Sequence, residues 1–174
     1  MILKKIWRDY QVSKFVVADS SCLIGLSRIG KLEVLHKLFS EIIIPEAVYY
    51  EVVVRGEGRI GAEEVKKAKW IQKRKAQNAL AVGAFKVNLG AGESEAIVLA
   101  SESKADFLIL DDFKARQTAE ELSLEVIGTV AVLQKAEEKG IIDNFQSVLQ
   151  DLRDVGFYFL SQNAVPHDYF EKKR

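Results

Sequence analysis

Four short β-rich runs recur along the chain, and each gives way at once to a polar residue, a proline or a glycine. They lie at residues 15–18, 42–44, 107–110 and 125–127. Largely unbroken apolar character is typical of strands that are covered on both faces of a sheet. Residues 70–72 are ambiguous and fit a short edge strand.

The segments between these runs carry apolar residues at the spacing of amphipathic helices. Helices are predicted at residues 23–29, 32–39, 46–54, 62–69, 79–87, 93–103, 114–122 and 130–139, with one more helix after residue 143 and a last one after Pro166. Three glycines make residues 55–61 a loop. Strands that alternate with helices predict an α/β fold whose mainly parallel sheet is covered on both faces.

Length and composition indicate a single domain. The chain has 174 residues, of which 48% are hydrophobic, so it can bury a core and wholesale disorder is excluded. We expect the domain to span residues 1–174, with a core at about 15–142 and a C-terminal helical extension at about 143–174.

Charge and cysteine content exclude several classes of protein. Lys+Arg and Asp+Glu both number 25, which excludes a globally basic nucleic-acid-binding protein but not a local basic groove. Cys22 is the single cysteine, so neither an intrachain disulfide nor a cysteine zinc cluster can form. The apolar runs are too short for a signal peptide or a membrane span, and we expect a cytoplasmic protein.

One stretch is strongly basic. Residues 66–75 hold six of the 25 Lys+Arg around Trp70. This pattern is typical either of a solvated helix face with Trp70 in the core or of a flank that contacts nucleic-acid phosphates while Trp70 stacks on a base.

Acidic residues follow two of the predicted strands. Asp19 comes directly after the first strand, and Asp111 and Asp112 follow residues 107–110, whereas Gly128 and Thr129 follow the last strand. Ligands bind open α/β sheets outside the carboxyl ends of the strands, so these residues lie where function is expected. A single Asp at such a position is often only the N-cap of the next helix, and the functional interpretation depends on the combination.

Two predicted helices add further acids. Glu51 lies in the helix after Pro45, and Glu93 begins the helix after residues 88–92. Glu95 lies about 200° around that helix from Glu93, so the two cannot face one site. We expect Glu95 and Glu102 to be solvated.

The expected cluster is therefore Asp19, Glu51, Glu93 and Asp111. Gathered carboxylates repel one another, and a divalent cation removes that repulsion. Oxygen ligands without Cys or paired His suit Mg²⁺ or Mn²⁺, which can activate water and hold a phosphodiester for displacement. The sequence thus indicates a metal-dependent nuclease.

Ordered motifs resemble those of PIN-domain nucleases. Residues 17–24 (VADSSCLI) look like the opening strand and turn, and residues 45–51 (PEAVYYE) match the second element. Residues 92–100 (GESEAIVLA) and 108–116 (LILDDFKAR) resemble the second half, especially that of a prokaryotic PIN subgroup of uncharacterised function. The sequence departs from the commoner pattern at Glu93, where Asp is usual, and in the long segment between Glu51 and Glu93.

The resemblance implies a three-layer α/β/α fold, a Mg²⁺ or Mn²⁺ site and cleavage of RNA that leaves a 5′-phosphate. It also implies a homodimer and, as in many PIN proteins, a toxin beside an antitoxin. It assigns catalytic roles to Asp19, Glu51, Glu93 and Asp111, with Asp112 as an extra ligand. The supporting residues are then Ser21 and Thr129 beside the acids, and Lys114 and Arg116 for the substrate phosphate.

Three alternatives remain. One is a PIN fold with little or no activity that serves as a nucleic-acid or protein binding module. The others are a phosphotransfer receiver and a haloacid-dehalogenase-like phosphatase, which also place an acid after the first strand. The phosphatase needs an Asp where Ser21 stands, and the receiver needs a Lys where Gly128 and Thr129 stand.

Overall fold

The computed structural model describes residues 15–157. The predictions for the remainder of the tail, including a last helix after Pro166, lie outside the described residues. Within the described part, no helix is both long enough and apolar enough to cross a bilayer.

Five parallel strands form one sheet in the described part of the chain. They are β1 (Val16–Ala18), β2 (Ile42–Pro45), β3 (Ile71–Arg74), β4 (Phe107–Ile109) and β5 (Val126–Ile127). Their order is β3-β2-β1-β4-β5, with Val17 opposite both Ile43 and Leu108. The chain moves outward from β1 to β3 and then crosses back to β4, so the connections diverge between β1 and β4. That crevice is the expected ligand site of such a sheet.

Nine α-helices and one π-helical turn lie within residues 15–157. The helices are α1 (Ser20–Arg28), α2 (Glu33–Phe39), α3 (Glu46–Tyr49), α4 (Ala62–Lys67), α5 (Ala79–Lys86), α6 (Ala91–Ser103), α7 (Phe113–Glu121), α8 (Thr129–Glu138) and α9 (Phe145–Asp154). The π-helical turn, Tyr50–Val54, continues α3 directly.

Alternate residues of the inner strands enter two separate cores. Val16 and Ala18 of β1 pack on the face that is covered mainly by α1, α2, α8 and α9. Val17 points the other way and packs with Leu108 against α5, α6 and α7. The two cores confirm the three-layer α/β/α fold and explain why β1 and β4 are apolar at every position. The edge strand β3 is the exception, because it is polar and exposed after its first residue.

Three local predictions need correction. The segment predicted as one helix over residues 46–54 changes from α3 to a π-helical turn at Tyr50. The helix predicted to begin at Glu93 begins at Ala91, because Gly90 has extended backbone angles and serves as its N-cap. The basic stretch is not one helix face: α4 ends at Lys67, and the stretch continues into the edge strand β3.

Packing of α8 against the sheet gives a test of the fold. Leu133 in α8 is fully buried, whereas Leu80 in α5 is 85% exposed. We expect Leu133→Ala to lower the free energy of unfolding by about 2–5 kcal/mol, because the substitution leaves a cavity. Leu80→Ala is the control in a helix of similar length and should change it by less than about 0.5 kcal/mol. Urea denaturation measures both, and equal effects would contradict the assigned core.

Candidate active site

Asp19 is a buried acid at the carboxyl end of β1. It is 1% exposed, and its backbone N–H donates to the Ile109 carbonyl at 3.1 Å, which ties it to the sheet. The hydroxyls of Ser21 and Ser20 lie 3.2 and 3.4 Å from its carboxylate oxygens as donors. Burial raises the pKa of Asp19 to about 7, and the negative charges of Glu93 and Glu51 add to the rise. Asp19 is thus an acid whose charge is costly in this position.

Glu51 reaches the same place from the π-helical turn. π-Helical turns often occur at functional sites, and this one continues α3, the helix that follows β2. Oε1 of Glu51 accepts a hydrogen bond from the Gly92 N–H at 3.1 Å, at the start of α6. A Cβ placed on Gly92 would stand 2.7 Å from Oε2 of Glu51 and 3.1 Å from Oδ1 of Asp19. The two carboxylates therefore converge on one point beside Gly92.

Glu93 joins this pair electrostatically but directs one oxygen at its own helix. Its Oε2 accepts from the Gly90 N–H at 2.8 Å, as a capping glutamate does in the first turn of a helix. Partial burial raises the pKa of Glu93, and the charges of Asp112 and Glu51 raise it further. Glu93 is both a helix cap and a neighbour of the acidic pair.

Asp111 is held by a different set of partners after β4. Its Oδ1 accepts from the Thr129 N–H at 2.8 Å and its Oδ2 from the Thr129 hydroxyl at 2.6 Å. Arg116 donates to the Leu110 carbonyl at 3.2 Å, and its positive charge lowers the pKa of Asp111. Burial nevertheless leaves the pKa of Asp111 above its usual value.

Cys22 lies close to both Asp19 and Asp111. Its thiol is fully buried, and burial raises its pKa, to which the charges of Asp111 and Asp19 add while a hydrogen bond with Thr129 lowers it. The structure therefore places Asp19, Glu51 and Glu93 around the start of α6, and Asp111 at the start of α8.

The remaining predicted residues lie at the start of α7 and differ in their surroundings. Asp112 is the N-cap of α7, since its Oδ1 accepts from the Ala115 N–H at 2.8 Å. Lys114 is exposed in the first turn of that helix. Arg116, in contrast, lies partly buried beside Asp111, and a Cβ on Gly128 would stand 2.8 Å from its Nη1.

The prediction of a solvated side chain was wrong for Glu95, which is partly buried, and is confirmed for Glu102, which is exposed. Glu95 accepts from the Ala47 N–H at 2.9 Å and pairs with Lys86 at 3.5 Å. Glu102 is exposed, but its carboxylate accepts from the N–H groups of Gln77 and Asn78 just before α5. Both carboxylates accept hydrogen bonds from backbone N–H groups at the start of another helix, and helical periodicity alone does not reveal such contacts.

The donor chemistry of the site fits a hard divalent cation. The carboxylates of Asp19 and Glu51 converge in the space left by the missing Gly92 side chain, and oxygen donors are what Mg²⁺ and Mn²⁺ prefer. In the side-chain positions described for residues 15–157, no three His, Cys, Asp or Glu residues lie close enough to hold a metal together. Hydrogen bonds direct Glu93 towards Gly90 and Asp111 towards Thr129, which accounts for the missing third ligand.

A family assignment agrees with this geometry. The sequence matches the family described as DUF3368, a PIN domain, over residues 15–165. The chain belongs to this PIN-domain family. The PIN domain is a nuclease fold that typically uses divalent metal ions.

Other comparisons add one structural similarity to this PIN domain. A PilT N-terminus domain protein from the hyperthermophilic archaeon Sulfolobus solfataricus is 22% identical, with a TM-score of 0.49. The match covers 70% of the present chain and 92% of the archaeal one. A comparison with curated proteins finds no match.

Sequence reasoning missed Gly92 as part of this site in the PIN domain. Residues 88–92 are predicted to precede the helix, yet Gly92 is buried in the first turn of α6 and its N–H donates to Glu51. A glycine just inside a helix start, immediately before an acid, was the available signal.

The raised pKa of Asp19 predicts how the stability of the metal-free protein depends on pH. The unfolded chain releases the Asp19 proton around pH 3.8, whereas the folded chain keeps it to about pH 7. The unfolded state thus binds fewer protons in this interval, so the free energy of unfolding should fall as pH rises. Asp19→Asn should flatten that slope in urea titrations with chelator present. An unchanged slope would contradict the assigned burial of the charge.

The Thr129 hydroxyl gives a second test. Thr129→Val keeps the side-chain shape but removes the buried O–H that donates to Asp111, and we expect it to lower the free energy of unfolding by about 1–3 kcal/mol. Thr118→Val is the matched control, because its hydroxyl donates only to the Lys114 carbonyl of its own helix. Chemical denaturation compares the two variants. If Thr129→Val lowers the free energy of unfolding no more than Thr118→Val does, the hydrogen bond from Thr129 to Asp111 does not stabilise the fold.

Proposed function

We propose that this PIN domain is a Mg²⁺- or Mn²⁺-dependent endoribonuclease of the cytoplasm. The observation that carries the proposal is the convergence of the buried Asp19 carboxylate with Glu51 beside Gly92. This pair lies at the crevice between β1 and β4, where open parallel sheets bind ligands.

The acids that would hold the ion are Asp19, Glu51, Glu93 and Asp111. A bound dication would neutralise these charges and lower the pKa of a coordinated water, supplying a nucleophile at neutral pH. Asp111 retains acceptor capacity, because a carboxylate offers about four lone-pair directions and Thr129 uses two. Asp112 caps α7 through Oδ1 and keeps Oδ2, so we propose it as an extra ligand.

Neighbouring residues of the chain prepare the site. The Ser21 hydroxyl orients Asp19, and the two Thr129 donors orient Asp111. Arg116 uses one of its five N–H donors on the Leu110 carbonyl and keeps others for a phosphate. Lys114, exposed two residues earlier on α7, adds a second positive charge for the RNA backbone.

The wider biological role extends the proposal by family resemblance. Many PIN proteins are ribonuclease toxins that are held by an antitoxin, and we propose this role, in a homodimer, for the present chain. The second candidate function is a binding module with little activity. It is favoured by the lack of a three-residue metal cluster among the side chains described for residues 15–157.

Cleavage of a labelled single-stranded RNA in the presence of Mn²⁺ tests the proposal. We expect Asp19→Asn, Glu51→Gln and Glu93→Gln each to lower the rate by about a hundredfold or more, because each removes a charged ligand while keeping the shape. Glu95→Gln is the matched control: it changes an acid on the same helix whose carboxylate faces Ala47 and Lys86, and its rate should stay within about twofold of the wild type.

The products and the metal requirement separate the two candidate functions. Fragments with 5′-phosphates, formed only with added Mn²⁺ or Mg²⁺, support the nuclease, and a single-stranded DNA of the same sequence tests the preference for RNA. An inactive wild type, or acid variants that cut as fast as Glu95→Gln, would overturn the nuclease and leave the binding module.

A further inference from the structure

Gly92 lies at the point where the carboxylates of Asp19 and Glu51 converge. We propose that Gly92 is the positioning residue of the carboxylate pair. Because Gly92 has no side chain, the carboxylates of Asp19 and Glu51 can share the space beside its Cα, and the Gly92 N–H orients Glu51. The inference rests on the proposed metal-dependent function and specifies what sets the geometry of the metal ligands.

The backbone amide of Gly92 is free to act in this way because of its position in α6. Gly90 is the N-cap, so Gly92 lies in the first turn, where backbone N–H groups have no partner within the helix. This N–H donates to Oε1 of Glu51 from 41 residues further along the chain. The positive end of the helix dipole favours a carboxylate at this position.

The absent side chain matters at least as much as the amide. A Cβ on Gly92 would stand 2.7 Å from Oε2 and 3.2 Å from Cδ of Glu51, and 3.1 Å from Oδ1 of Asp19. Asp19 is fixed by burial and by its bond to β4, so it cannot retreat. Glu51 is a flexible side chain approached at its far end, so a methyl group would turn it away and leave the fold intact.

Helix propensity predicts the opposite of what this position requires. Alanine is the best residue within helices and glycine among the worst, so Gly92→Ala should not weaken α6 itself. The chain offers a matched control in Gly83, which lies within α5 with nothing inside 4 Å of an added Cβ. The same Gly→Ala substitution thus places a methyl group in open space at Gly83 and against two carboxylates at Gly92.

Mn²⁺ binding and thermal unfolding of the full chain test the proposal together. We expect Gly92→Ala to keep a Tm at or above that of the wild type while Mn²⁺ affinity, measured by titration calorimetry, falls at least about tenfold. Gly83→Ala should raise or keep the Tm and leave Mn²⁺ affinity unchanged. A purely structural role for Gly92 would move the Tm and the affinity together.

A double-mutant cycle identifies Glu51 as the group through which Gly92 acts. In a Glu51→Ala background there is no side chain to displace, so Gly92→Ala should lower Mn²⁺ affinity by much less than it does in the wild type. Full additivity, or a Gly92→Ala variant that binds like the wild type, would overturn the inference while the proposed function stands. A wild type that neither binds Mn²⁺ nor cleaves RNA would overturn both.

Discussion

The burial of one carboxylate at the end of the central strand constrains the whole site. Asp19 cannot move towards solvent, because its N–H is bonded to β4 and α1 begins at the next residue. Burial disfavours the charged form of Asp19, which is why its pKa is raised to about 7. Glu51 and Glu93 lie close enough to this fixed group for their charges to raise its pKa further.

The surrounding elements hold their acids with backbone amides at helix starts. The first turn of α6 presents the Gly92 N–H to Glu51 and the Gly90 N–H to Glu93, so a single helix start organises two acids. The start of α8 does the same for Asp111 through the Thr129 N–H. Helix starts carry unpaired N–H groups and partial positive charge, so they can hold carboxylates together without a side-chain cation.

The sequence predicted the strands, the fold class and the candidate acids because these depend on local pattern. Apolar runs fixed the sheet, and the parallel order brings Asp19 and Asp111 to one edge. The details that pattern could not supply are tertiary. The π-helical turn that carries Glu51, the capping role of Asp112 and the contacts of Glu95 depend on which backbone amides face each side chain. The role of Gly92 is defined by a residue 41 positions away.

The acids of the site differ in how far the protein itself satisfies them. Asp111 accepts two hydrogen bonds from Thr129 and has the positive charge of Arg116 beside it, and these lower its pKa against the effect of burial. Asp19 accepts long hydroxyl contacts and backbone hydrogen bonds from Ser20 and Ser21, but it also faces the like charges of Glu93 and Glu51. A cation bound next to Asp19 and Glu51 would consequently relieve a repulsion between like charges. The two Thr129 donors hold Asp111 in place, so this carboxylate is preorganised and would keep its position when a cation binds.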